Sequence, residues 1–253
     1  MSTLYCYINK QIVPIEKAGV LVTDLLVQRG YGIFDYLRVA NNKPLFLEDH
    51  LERFYNSANA MRLKVKETKE EVLKKVYELI QMNNLGYSGI RLLIGGGDSP
   101  DGYTIVEPSL MIVQQPIPTP PDTMNLKGIK LASYDYQRQL ARVKTTDYLM
   151  AIHLQPWMKE QGADDILYYS ESIVRECPRS NFFIVKDGTI ITASNKMLLG
   201  ITRKNILQIA TENNIKVEER DFTIAELKTA DEAFISSSTK IGRASCRERV
   251  CQY

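Results

Sequence analysis

Ala141-Arg142-Val143-Lys144-Thr145-Thr146-Asp147-Tyr148-Leu149 sets a lysine just ahead of a helix pattern. Val174-Arg175-Glu176-Cys177-Pro178-Arg179-Ser180-Asn181-Phe182-Phe183 sets an acid just ahead of a strand. Asp147 to Gln161 reads as an amphipathic helix, with Leu149, Ile152, Leu154 and Trp157 available for burial and Gly162 as its stop. Phe182 to Thr192 reads as a hairpin turning at Asp187-Gly188.

Outward from this stretch, helix and strand patterns mix along the chain. Leu4 to Pro14 alternates around Asn9-Lys10, a hairpin pattern. Gly32 to Val39 and Pro44 to Leu47 read as strands joined by Asn41-Asn42. A helix then starts at Asp49 or His50, with Leu51, Phe54, Ala58 and Met61 at helical spacing. Lys69 to Met82 is a second helix, with Val72, Val76, Leu79 and Ile80 on its apolar face and a stop at Asn83-Asn84 and Gly86. Strands at Ile90 to Ile94 and Leu110 to Val113 flank the loop Gly95-Gly96-Gly97-Asp98. Pro116-Ile117-Pro118-Thr119-Pro120-Pro121 can continue neither a helix nor a central strand, so it marks a stiff linker. Beyond it lie a strand near Ile129 to Ser133, a strand at Asp164 to Tyr168, and a helix from Arg203 to Asn213 capped by Thr202. A short turn at Ile224 to Leu227 and a strand at Glu232 to Ile235 follow. The fold class is α/β (α+β), with an N-terminal domain at 1–115, the Pro-rich linker at 116–123 and a C-terminal domain at 124–240.

Residues 241–253 stand apart. Ile241 to Cys251 has no apolar period, and its composition departs abruptly from what precedes it. The stretch resembles the translation of a sequencing-adapter oligonucleotide and is read as non-biological, outside the fold. Arg243, Arg247 and Arg249 against Glu248 account for the whole formal charge of +2, which leaves the rest neutral.

That balance gives no bulk electrostatic case for nucleic acid or a membrane surface as partner. Apolar content of 44% and charged content of 25% are those of an ordinary soluble domain. No run approaches the ~20 apolar residues of a spanning helix, and Met1 to Gln11 lacks a signal pattern, so a cytoplasmic location is expected. Cys6, Cys177, Cys246 and Cys251 form no CxxC pair, and only His50 and His153 accompany them. Reduced thiols and no metal site are expected.

The chemistry rests on a few side chains. A lysine at the positive end of a helix has its ammonium disfavoured, and a neutral amine is what imine formation and proton transfer require. Glu176, with Arg175 and Arg179 to keep it ionised, can hold a pyridine nitrogen protonated, so that the ring accepts electrons. Leu199-Gly200-Ile201-Thr202 runs into a helix and offers N–H groups and a hydroxyl to a phosphate. Ser236-Ser237-Ser238-Thr239 offers four hydroxyls after a strand. Singly these are a surface lysine, a loop carboxylate and two caps. Together they suit pyridoxal 5'-phosphate (PLP).

Three segments then carry a resemblance: Arg29-Gly30-Tyr31-Gly32-Ile33-Phe34-Asp35, Leu47-Glu48-Asp49-His50-Leu51-Glu52-Arg53-Phe54, and Ser180-Asn181-Phe182-Phe183 through Leu199-Gly200-Ile201-Thr202. From about Leu4 to Thr239 the chain resembles the class IV, or fold-type IV, PLP enzymes: branched-chain aminotransferases, D-amino-acid aminotransferases and aminodeoxychorismate lyases. The resemblance implies a small N-terminal α/β domain and a larger C-terminal domain with mixed sheets. It implies that Lys144 is the Schiff-base lysine, Glu176 the pyridine-nitrogen partner and Arg53 a phosphate ligand, with Ile201, Thr202, Ser237 and Ser238 as the others. Tyr148 falls where branched-chain enzymes place a tyrosine facing the cofactor's phenolic oxygen. A homodimer sharing its active sites is implied as well.

The departures bear on substrate. Phe34 and Arg38 match the branched-chain pattern, while Tyr36 replaces its glycine and also the threonine typical of the lyases. Arg91 matches an arginine that receives the distal carboxylate of 2-oxoglutarate. Arg29 is an additional arginine, which either joins Arg91 in a carboxylate site or forms an interface salt bridge. Arg179 is expected close to the cofactor ring. The expected activity is amino-group transfer between an α-amino acid and a 2-oxo acid, with branched-chain-type substrates ahead of D-amino acids. The lyase is disfavoured by Tyr36, and a non-enzymatic PLP-binding protein by Lys144 and Glu176.

Overall fold

The computed structural model describes residues 3–119, 128–239, 243–245 and 250–252. The chain divides into two units, Met1–Pro120 with Val143–Asp147, and Pro121–Arg142 with Tyr148–Tyr253.

The first unit is built on one antiparallel sheet. Its elements are β1 (Tyr5–Ile8), β2 (Gln11–Pro14), α1 (Leu25–Arg29), β3 (Gly32–Ala40), β4 (Lys43–Pro44), α2 (Leu47–Ala60), α3 (Lys69–Asn83), β5 (Ser88–Gly95) and β6 (Leu110–Pro116). The strand order is β2-β1-β6-β5-β3-β4. Asn9 and Lys10, and then Asn41 and Asn42, all have positive φ, the geometry of tight hairpin turns. The strand expected at Pro44 to Leu47 stops at Pro44, because Phe46 takes a left-handed φ of 53° and α2 starts at Leu47. The helix α3 opens on a complete capping box, Thr68 with Glu71.

Period-two alternation in β3 sends Ile33, Asp35, Leu37 and Val39 inward and leaves Phe34, Tyr36 and Arg38 half-buried on the other face. The inner face packs on Leu51, Phe54 and Ala58 of α2 and on Val72, Val76 and Leu79 of α3. Asp35 is the exception in this apolar layer, with 0% exposure. The Arg53 guanidinium meets it as a fork, Nε to Oδ2 and Nη2 to Oδ1, both at 2.8 Å. His50, one turn earlier on α2, places Nδ1 2.6 Å from Oδ1.

The second unit comprises β7 (Leu131–Asp135), α4 (Leu149–His153), α5 (Gln155–Glu160), β8 (Asp165–Ser170), β9 (Ile173–Val174), β10 (Glu176–Cys177), β11 (Ser180–Lys186), β12 (Thr189–Thr192), α6 (Ile201–Glu212), β13 (Val217–Glu219), α7 (Ile224–Leu227), β14 (Glu232–Ser236), β15 (Arg243–Ser245) and β16 (Val250–Gln252). One sheet runs β13-β12-β11-β14-β15 with β10 on β11, the other β16-β7-β8-β9, and both mix parallel and antiparallel pairs. The single helix expected from Asp147 to Gln161 is two short ones. Pro156 has no N–H to continue the ladder and crowds the carbonyl of Ile152, so the chain breaks at Leu154. Leu154 is buried, while Leu149 and Ile152 are exposed. The helix α6 starts at Ile201 with Gly200 as N-cap, so Thr202 lies inside its first turn rather than capping it. Of the expected linker, Pro116 ends β6, and 120–123 lie outside the described residues. In the tail, 243–245 pair with β14 and 250–252 with β7; the rest of 241–253, with Cys246, lies outside the described residues. Cys6 and Cys177 are buried free thiols.

The Asp35 cluster predicts acid lability. Burial alone would raise the Asp35 pKa, but the Arg53 guanidinium and then His50 reverse this and hold the carboxyl well below the usual carboxylate range. A depressed folded-state pKa contributes stability that is present at neutral pH and lost as pH falls below about 4. Asp35→Asn should therefore cost about 3–5 kcal/mol at pH 7, the penalty for breaking a buried pair, and flatten the loss of stability on acidification. Denaturant midpoints measured across that pH range check this; an unchanged acid limb would remove Asp35 as the labile group.

Candidate active site

In the first unit, Val143–Asp147 lies alongside β3. The Phe34 N–H donates to the Lys144 carbonyl at 3.0 Å and the Thr146 N–H to the Gly32 carbonyl at 2.9 Å, with Ile33 and Thr145 bridged between them. The Lys144 N–H donates to Ser57 Oγ at 3.3 Å, and the Thr146 hydroxyl to the Gly30 carbonyl at 2.6 Å. Val143 and Thr145 are buried while Lys144 is half-buried, so the lysine side chain emerges toward the outer face of the sheet. Its Nζ sits 4.6 Å from the Phe34 ring centre. This corrects the expectation of a lysine at a helix terminus: Lys144 belongs to a strand-like segment, and the helix that follows begins only at Leu149 and has five residues.

The outer face continues from Phe34 into a row of side chains. The Arg91 guanidinium lies 5.6 Å from the Phe34 ring centre and 5.9 Å from that of Tyr36. Arg38 Nη1 donates to the Tyr87 hydroxyl at 3.0 Å. Arg29 closes α1, is exposed, and donates from Nε to the Gly102 carbonyl at 3.1 Å. Arg29 and Arg91 share no partner among the described residues.

In the second unit, Glu176 lies in β10, 5% exposed. Arg138 Nε donates to its Oε1 at 2.9 Å and the Leu198 N–H to its Oε2 at 3.1 Å. Arg138 is itself fixed by a bond from Nη2 to the Ala141 carbonyl at 2.8 Å. The partners expected for Glu176 are therefore replaced. Arg175 is turned away, donating to Ser170 Oγ and Asp221 Oδ2, both at 3.0 Å. Arg179 is exposed at the tip of the β10–β11 hairpin, whose Cys177–Ser180 pair leaves Pro178 and Arg179 as the turn. Sequence reading missed Arg138, because nothing in Tyr136-Gln137-Arg138-Gln139 marks it as a partner of a distant acid.

Asn181 stands opposite Glu176 and donates from Nδ2 to the Leu198 carbonyl at 2.7 Å, so it braces the loop that donates to the acid. Gly200 follows, where any Cβ would collide with Asn181 Oδ1. The start of α6 at Ile201 and Thr202 carries no side-chain cap. Ser237 and Ser238 are half-buried at the end of β14, with the Thr239 N–H donating to Ser237 Oγ at 3.3 Å. Ser180 Oγ and Ser236 Oγ are buried and have no hydrogen-bond partner among the described residues. Tyr148 is half-buried at the N-cap of α4. Among the described residues there is no cluster able to hold a metal ion and no helix long and apolar enough to cross a membrane.

Each unit carries groups that suit PLP: in the first, an amine on the outer sheet face and an arginine anchored by a buried carboxylate; in the second, a buried acid held through both oxygens, an uncapped helix start and the hydroxyls of Ser237 and Ser238.

Comparison with known proteins agrees. The family model described as amino-transferase class IV matches residues 32–244. A D-alanine aminotransferase of Listeria monocytogenes is 30% identical over 240 residues, covering 92% of this chain and 83% of its own length. A putative branched-chain-amino-acid aminotransferase of Methanocaldococcus jannaschii is 31% identical over 243 residues, with the same coverage. Among solved structures, the branched-chain aminotransferase of Thermoproteus uzoniensis superposes with a TM-score of 0.87 at 26% identity, over 98% of this chain and 88% of that one. An aminodeoxychorismate lyase structure from Legionella pneumophila, described as putative, shares the fold at 23% identity and a TM-score of 0.83, over 94% of this chain and 89% of that one. The lysine, the acid and the candidate phosphate segments stand within a chain that belongs to the class IV aminotransferases and is a PLP-dependent transaminase.

Proposed function

We propose that this transaminase exchanges amino groups between a small or acidic amino acid, in the D-series, and a dicarboxylic 2-oxo acid. The observation that carries the acceptor is Arg91, whose guanidinium lies 5.6 Å from the Phe34 ring centre on the face that Lys144 reaches. A guanidinium so placed pairs with a distal carboxylate in a fork. The D-series donor draws on the curated relatives named D-alanine aminotransferases. The branched-chain reading, expected first from sequence, is the second. It is favoured by the apolar Phe34 ring beside the amine and by the Methanocaldococcus relative.

When bound, PLP supplies an aldehyde that condenses with amines and a ring that accepts electrons from the substrate's α-carbon. The chain's own groups divide the remaining work. Lys144 would hold the cofactor between turnovers and, once the substrate's amine has displaced its own, its free amine would move the proton of the substrate α-carbon. Glu176 holds a proton at the ring nitrogen, and Arg138 and the Leu198 N–H fix both of its oxygens for that task. Arg53, Ile201, Thr202, Ser237 and Ser238 bind the phosphate, and Tyr148 orients the phenolic oxygen. A homodimer belongs to the same reading and is supported by exposed apolar side chains at Leu21, Val22, Val27 and Tyr103. The implied compartment is the cytoplasm, where Cys6 and Cys177 remain reduced.

Four outcomes are expected. Borohydride treatment of the loaded protein should leave a pyridoxyl group on Lys144, as read by peptide mass mapping; a label on Lys130 instead would sink the assignment. Glu176→Gln should still bind PLP but transaminate ~10²-fold more slowly or worse, the scale of one lost transition-state electrostatic contact, and turnover near wild type would take Glu176 out of the mechanism. In a screen of D- and L-amino acids, D-alanine should be consumed with 2-oxoglutarate, and D-glutamate with pyruvate. Arg91→Ala should then raise KM for 2-oxoglutarate roughly ten- to a hundredfold. Consumption of L-leucine alone would establish the branched-chain reading in its place.

A further inference from the structure

We infer that Tyr36 is a specificity-determining residue of this transaminase. Seated over Gly89, its ring holds Arg91 above Phe34 and so selects oxo acids ending in a carboxylate over those with a branched aliphatic chain. The inference rests on the transaminase reading and adds the residue that separates its substrates.

The geometry begins with strand register. In the antiparallel β3–β5 pair, Tyr36 stands opposite Arg91 and Arg38 opposite Gly89. A Cβ at position 89 would coincide with the Tyr36 hydroxyl, and the next nearest atoms would be carbons of the same ring. The ring therefore crosses diagonally from its own strand onto the neighbouring one, and only glycine leaves it that seat. From there it flanks the Arg91 guanidinium at 5.9 Å, while Phe34 flanks it at 5.6 Å. Arg91 is otherwise an exposed residue on an unbranched stem, free to sample many rotamers. Two aromatic faces narrow that choice and keep the charge beside the ring that the Lys144 amine also touches.

Selection follows from desolvation. A branched aliphatic chain laid on Phe34 would cover the guanidinium and remove its water without supplying a partner. A carboxylate of suitable reach restores the lost hydrogen bonds as a charged pair. Without the Tyr36 ring, Arg91 loses one of its two supports, and the seat over Gly89 opens as volume for an aliphatic chain.

The test loads the protein with pyridoxamine 5'-phosphate and mixes it with 2-oxoglutarate or with 4-methyl-2-oxopentanoate. The absorbance change gives one rate constant per acid. The amino group comes from pyridoxamine phosphate and no amino-acid donor is present, so the ratio does not depend on which enantiomer of a donor is preferred. Tyr36→Ala should lower the ratio of the 2-oxoglutarate rate to the 4-methyl-2-oxopentanoate rate by about tenfold or more. Tyr36→Phe, which retains the ring, should retain the ratio. Gly89→Ala, which displaces the ring, should lower it in the same direction. In the cofactor-free protein, Gly89→Ala should also lower the melting temperature, and Tyr36→Ala combined with Gly89→Ala should recover part of that loss. Should Tyr36→Ala fail to fold, Tyr36→Leu and Gly89→Ala decide the matter. An unchanged ratio in the ring-removing and ring-displacing variants overturns the inference, as does a ratio that Tyr36→Phe fails to retain. Wild-type protein that converts neither acid overturns the proposed acceptor class as well.

Discussion

Two backbone hydrogen bonds, from Phe34 to the Lys144 carbonyl and from Thr146 to the Gly32 carbonyl, tie a late segment of the chain to the strand that organises the first unit. A lysine on a mobile loop would have many directions to point. Here the pairing to β3 fixes the pleat, and the pleat fixes the face on which the side chain emerges. The same alternation sends Asp35 inward, where Arg53 and His50 must meet it, and turns Phe34, Tyr36 and Arg38 outward. A one-residue slip of β3 would exchange the two sets, burying Phe34 and Tyr36 and exposing the carboxylate. The site and the core are thus two consequences of one register.

The acid in the second unit is held by a different means, a short relay of polar contacts. Asn181 braces the Leu198 carbonyl, the Leu198 N–H meets one oxygen of Glu176, and Arg138 meets the other. Gly200 is required by the first of these contacts, since a side chain there would strike Asn181. This changes how Arg53 should be understood too. Its fork to a fully buried carboxylate makes it structural as well as a candidate phosphate ligand. Its removal would combine loss of cofactor affinity with a stranded buried charge.

Much of this was legible in the sequence. The hairpin at Asn9-Lys10, the apolar stripe of α3 and the turn at Asp187-Gly188 follow local rules that the structure obeys. The class IV segments were legible too, and the family model over residues 32–244 bears out the family to which they point. What stayed illegible was tertiary. Arg138 is a half-buried partner from a distant part of the chain, and no spacing rule connects it to Glu176. The helix after Lys144 was read through Pro156, although a proline at that point ends the hydrogen-bond ladder. Lys144 itself was read as helix-terminal because the pairing that captures its segment joins residues far apart in sequence.

That capture has a consequence for how the chain is made. β4 reaches only Val39 and Ala40, so the first half of β3 has β5 on one side and, on the other, nothing from 1–120 that pairs with it among the described residues. Val143–Asp147 covers that edge. Until residue 147 has left the ribosome, the nascent first unit therefore presents an open strand edge of the kind that recruits other chains. The segment that delivers the lysine also serves as the edge guard, so deleting it would expose the sheet to misassociation as well as remove the proposed Schiff-base lysine.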